Sequence, residues 1–135
     1  MTAQLFPLRP DEARLARLEL KVGGQWQEVA TARVYELGWS AHFRLEDWDE
    51  SQSVPYRVRH GKDAVFEGLV RRNPHDKNDI VIGSLSCNSN QDRGDRDAMV
   101  ANLKKQDPDM LFFAGDQTYD HTEHTAGWLL WGLQF

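Results

Sequence analysis

The chain has 135 residues, 40% hydrophobic and 27% charged, which is enough apolar material for one domain or two small ones. Its formal charge of −5 leaves no footprint for nucleic acid, and no basic run is long enough to attract anionic lipid. A single cysteine, Cys87, excludes an intrachain disulfide, so that thiol is a buried small hydrophobe, a reactive group or a metal ligand.

The first ten residues lack the basic start and apolar core of a secretory signal, and no segment is built to span a membrane. These residues leave the compartment open, with the cytoplasm as the default. Residues 11–18, rich in Ala, Arg and Leu, suit either a short helix or the start of a strand. From there to Arg72 the apolar period is two. Leu18, Leu20 and Val22 alternate with Arg17, Glu19 and Lys21, and Gly23-Gly24 supplies a turn in which positive φ costs little. Ala30, Ala32 and Val34 form the next run, then Ala41, Phe43 and Leu45, before the acidic stretch around Trp48 turns the chain. Val54, Tyr56 and Val58 alternate with arginines, and residues 64–70 follow His60-Gly61-Lys62-Asp63. Five or six strands at this spacing predict an antiparallel sandwich of immunoglobulin or fibronectin type over residues 1–74.

The polar, proline-containing residues 73–79 mark a boundary, and residues 75–135 read differently. Residues 79–85 are the apolar, β-branched run of a parallel strand, ending in Ser86-Cys87-Asn88. A helix is predicted over residues 95–106, with Met99, Val100 and Leu103 on one stripe and Lys104-Lys105 in the last turn. Asp107-Pro108 stops it. Residues 110–114 make a second apolar strand that runs into Gly115-Asp116-Gln117-Thr118-Tyr119. A βαβ crossover places both strand ends on one edge, the edge at which open α/β sheets bind ligands. Cys87 and the Asp116/Tyr119 pair are thus expected to meet there.

The final ten residues hold Trp128, Leu129, Leu130, Trp131, Leu133 and Phe135, an apolar surface that needs a further domain or a partner to cover it. Two parallel strands and one helix do not bury a sheet by themselves. The chain therefore reads as the N-terminal portion of something larger.

Ser86-Cys87 closing one strand, and Pro108-Asp109 opening another that closes in Gly115-Asp116-Gln117-Thr118-Tyr119, resemble the opening of alkaline phosphatase D-like metallophosphoesterases. Members of that family commonly carry a small immunoglobulin-like N-terminal domain. The resemblance implies that residues 75–135 begin an α/β catalytic domain that hydrolyses phosphate mono- or diesters. It further implies that Cys87 and Tyr119 bind a ferric ion as thiolate and phenolate, and that Asp116 bridges it to a divalent ion such as calcium. Anionic sulfur and oxygen ligands suit a highly charged cation, and two such ions clamp a phosphate ester and activate water. Family sites also draw on an Asn-His or Asp-His motif and later histidines, which the resemblance places after the end of these 135 residues, so the 135 residues alone are expected to be inactive.

The residues also allow a plainer reading. Cys87 alone is most simply a packed thiol, Asp116 a turn residue and Tyr119 a packing residue. His121 and His124 are solvated loop histidines without the further ligands of a tetrahedral zinc site. On that reading the chain is a non-catalytic immunoglobulin-like module that engages a partner through its sheet or its apolar C-terminus. Trp26, Trp39 and Trp48 could line a carbohydrate face of such a module, although tryptophans in these folds usually belong to the core or its rim.

Overall fold

The computed structural model describes residues 1–87 and 95–116, and the chain divides into two compact units, Met1–Asn73 and Pro74–Phe135. The first unit contains β1 (Thr2–Gln4), β2 (Leu15–Val22), β3 (Gln25–Tyr35), β4 (Ser40–His42), β5 (Val54–His60) and β6 (Ala64–Val70). The second contains β7 (Ile82–Leu85), α1 (Arg96–Gln106) and β8 (Met110–Phe113). Among the described residues no helix is long and apolar enough to cross a membrane.

The first unit is all β and antiparallel, with strand order β1-β4-β3-β2-β5-β6. Its core follows from the period-two pattern. Ala16 and Leu18 from β2 meet Ala32 and Val34 from β3, Ala41 and Phe43 from the β4 region close the cluster, and Leu20 is buried further along β2. β2 and β3 form a hairpin whose turn is Gly23-Gly24, at φ +58° and +82°, a geometry reserved for residues without a Cβ clash. Residues 11–14 are not helical, and the strand begins at Leu15. β1 escapes the alternation argument because it is three residues long. It is held by pairing Thr2 to His42 and Gln4 to Ser40, and by Phe43 N–H donating to the Met1 carbonyl at 2.8 Å.

One residue resets the pattern. Between the pairs Leu18↔Ala30 and Glu19↔Glu28, β3 carries an extra residue, Val29. The bulge turns Trp26 and Glu28 away from the core side, although they share the parity of Ala30, Ala32 and Val34. There they join a polar face. Glu19, only 8% exposed, lies opposite Arg57 in register and pairs with both Arg57 and Arg59. Arg57 also sits over the Trp26 ring at 4.6 Å, with Lys21 at 5.6 Å from the same ring, and Arg17 pairs with Glu28.

In the second unit β7 and β8 are parallel, with Ile82↔Met110 and Leu85↔Phe113. Helix α1 joins them. Asp95 caps its first turn, accepting from Ala98 N–H at 2.9 Å, and Asp107 ends it in the left-handed conformation (φ +45°) just before Pro108. Gly83 lets the helix approach, because a Cβ there would stand 3.1 Å from Leu103 Cδ1 and 3.0 Å from Leu111 Cδ2. The opposite face, which alternation assigns to Ile82, Met110 and Phe112, leaves those side chains about half exposed. Asp109, whose side chain is 4% exposed, ties the strand starts together. Its carboxylate accepts from Val81 N–H at 3.1 Å and pairs with Lys77, while its own N–H donates to the Val81 carbonyl at 2.8 Å.

Removing one partner from a shielded ion pair leaves an uncompensated charge. Glu19→Ala is expected to lower the unfolding free energy by roughly 3 kcal/mol, whereas Arg44→Ala, whose pair with Glu46 is solvent-exposed, should change it by less than about 1 kcal/mol. Chemical denaturation of the two variants checks the difference, and equal losses would contradict this account of the sheet face.

Candidate functional site

The parallel ladder continues past the strands. Ala114 N–H donates to the Leu85 carbonyl at 2.8 Å, and Cys87 N–H donates to the Gly115 carbonyl at 3.3 Å. The Ser86 hydroxyl donates to the same carbonyl at 3.3 Å and lies 3.3 Å from the Cys87 sulfur. These bonds hold the two strand exits side by side. In consequence Cys87 and Asp116, 29 positions apart, come together with the thiol 3.7 Å from Asp116 Oδ2, donating to it. Both residues are exposed at this edge.

The backbone is unusual at the same point. Cys87 has φ +62° and Asp116 φ +55°, both left-handed, and Gly115 between β8 and Asp116 has φ +118°. A residue with a Cβ occupies that region at a cost of about 1–2 kcal/mol, and such conformations concentrate at binding and catalytic sites. The arrangement aims a sulfur and a carboxylate at one point beyond the carboxyl ends of two parallel strands, where open α/β sheets receive ligands.

The donor set fits a cation as a partial shell. Two donors at about 2.3 Å (sulfur) and 2.1 Å (oxygen) from one ion, at a tetrahedral angle, stand about 3.6 Å apart, close to the 3.7 Å observed. Two ligands do not close a site, and among the described residues no group of three or more His, Cys, Asp or Glu side chains could hold a metal. Tyr119, the third expected ligand, lies outside the described residues, as do His121 and His124.

The remaining candidates are engaged elsewhere. His42 is bonded through both ring nitrogens to the Thr2 and Ser40 hydroxyls, and His60 Nε2 lies 2.6 Å from the Ala13 carbonyl. The tryptophans share no platform. Trp26 is covered by Arg57 and Lys21, the Arg14 guanidinium stands 5.6 Å from Trp39, and Trp48 lines an apolar pocket of about 230 Å³ with Leu18, Leu20, Phe43, Leu45 and Val70. Sequence reasoning missed the part played by Ser86 and the Asp109 tie. The Pro-Asp pair at the strand start was a signal for the second; nothing in the sequence marks the left-handed turns at Cys87 and Asp116.

Compared with known proteins, the chain matches no family model, no curated protein and no solved structure.

If the two left-handed side chains store strain for a purpose other than folding, glycine should relieve it. Cys87→Gly and Asp116→Gly are each expected to stabilise the second unit by about 1 kcal/mol, read as slower amide exchange at Ala114. Faster exchange in both variants would show that the side chains support the turn instead.

Proposed function

We propose that this chain supplies the first ligands of a metal centre that hydrolyses phosphate esters, the other ligands coming from residues beyond these 135. The observation that carries the reading is the convergence of Cys87 and Asp116 at the carboxyl edge of a parallel pair, 3.7 Å apart and both in left-handed backbone conformations. Tyr119, three residues after Asp116, is the proposed third ligand through its phenolate. The motif resemblance, Ser86-Cys87 at one strand end and Gly115-Asp116 with Tyr119 at the next, supports the same assignment, and so does a β unit preceding the βαβ unit, which we read as immunoglobulin-like.

In this reading Cys87 gives up its proton to become an anionic sulfur donor, Asp116 supplies carboxylate oxygen, and the metal when bound supplies charge for the phosphate and an activated water. Ser86, bonded to the Gly115 carbonyl and beside the sulfur, positions Cys87. The Gly115 carbonyl also accepts the Cys87 amide, so one backbone group fixes both strand exits.

Two measurements test the proposal. Cobalt(II) added to the 135-residue chain should produce a thiolate charge-transfer band in the near ultraviolet that is absent in Cys87→Ser and weakened in Asp116→Asn; equal bands in all three would remove Cys87 from the ligand set. A polypeptide extending past Phe135 should hydrolyse bis(p-nitrophenyl) phosphate and lose that activity on Asp116→Asn. The 135-residue chain itself, metal-loaded, should not turn the ester over.

A further inference from the structure

One edge of the sheet in the first unit is strand β6, which among the described residues has β5 on one side and no strand on the other. The Gly23-Gly24 turn makes Val22↔Gln25 a hydrogen-bonded pair, and alternation from there fixes the direction of every backbone group across β2 and β5. Arg57 and Arg59 face β2, so Tyr56, Val58 and His60 face β6. The N–H and C=O groups of Val65, Glu67 and Leu69 must then point outward. Pro55, opposite Leu69, agrees, since its missing N–H falls on the side away from β6. Among the described residues no hydrogen bond reaches these outward groups.

Natural edges are blunted by lysine, proline or covering loops. β6 has no lysine or proline, and among the described residues no loop bonds to it. Over seven residues it carries one charge, Glu67, and its side chains stay open: Val65 is 47%, Leu69 54% and Phe66 65% exposed.

We infer that this edge pairs with the β6 edge of a second copy of the chain, antiparallel, about a two-fold axis at Phe66. The strand is self-complementary in that register. Phe66 meets Phe66 of the other copy, continuing the row that Val58 and Phe66 begin, and aromatic cross-strand pairs are favourable. Ala64 meets Gly68, the position over which the Tyr56 ring lies 2.7 Å from where a Cβ would be. Val65 meets Glu67, which keeps the two carboxylates apart, whereas a two-fold axis at Glu67 would set them directly opposite one another. In that register residues 64–68 of the two strands overlap and Leu69 lies opposite Asp63, so the edge buries less than the roughly 1,200 Å² of a stable interface and association is weak, with a dissociation constant of about 10 μM to 1 mM. This pairing does not depend on the phosphoesterase reading.

Sedimentation equilibrium of the full chain over about 10 μM to 1 mM should show a concentration-dependent dimer. Phe66→Lys and Phe66→Glu should each sediment as monomers, because each sets like charges on the axis. An equimolar mixture of the two should restore a dimer. A wild-type chain that stays monomeric throughout, a lone variant that still dimerises, or a mixture that does not, overturns the proposal. Circular dichroism verifies that the variants keep the sheet. Should either lose it, Glu67→Pro, which deletes an outward N–H, takes its place, and a dimer persisting in that variant equally overturns the pairing.

Discussion

The candidate site depends on the register of one short parallel ladder. With Leu85 beside Phe113, the bonds that follow, Ala114 to Leu85 and Cys87 to Gly115, keep the two exits in step until both chains turn into left-handed conformations. A shift of one residue would turn every side chain of β8 to the other face. Two features oppose such a slip from the far end of the strands. The Asp109 carboxylate holds Lys77 and the Val81 amide together, and Gly83 seats Leu103 of the helix so closely that a side chain there would push its neighbours back. The chemistry at one end of β7 and β8 is thus positioned by packing and ion pairing at the other.

The two units solve burial differently. The antiparallel sheet covers one face with its own small core of alanines, Leu18, Val34 and Phe43, and leaves the other as a lattice of charges around Glu19 and Trp26. That division is stable for antiparallel strands, which tolerate water on one side. Parallel strands do not share that tolerance, and in β7, α1 and β8 no described residue is buried. A helix packs on the Gly83 side, yet Leu111 and Phe113 on that side stay as exposed as Ile82, Met110 and Phe112 on the other.

Much of the architecture was legible because it is written in simple periods. Alternation gave the strands containing Leu18, Val34, Ala41 and Val58, and the helix was marked by the stripe of Met99, Val100 and Leu103 and by Asp107-Pro108 after it, whereas the capping role of Asp95 came only from the structure. Strand β1 was not legible, since three residues carry no period and their order comes from His42 and Ser40 across the sheet. Nor could alternation show that Trp26 and Ala30 face opposite sides, because a bulge leaves no signature in a residue such as Val29. At the site, topology brought Cys87 and Asp116 together from sequence alone. The conformation that aims them was hidden, since neither cysteine nor aspartate announces a positive φ as glycine does.

The bulge at Val29 has a consequence for how the hairpin finds its pairing. On one side of it β3 sends even-numbered residues inward, and on the other side odd-numbered ones, so the strand is divided into two halves of opposite phase. Without the extra residue, a β3 that turned Ala30 and Ala32 inward would turn Glu28 and Trp26 inward as well, so the hairpin pairs along its whole length only when the bulge forms. One added valine thus lets a single continuous strand serve an apolar core at one end and a charged face at the other.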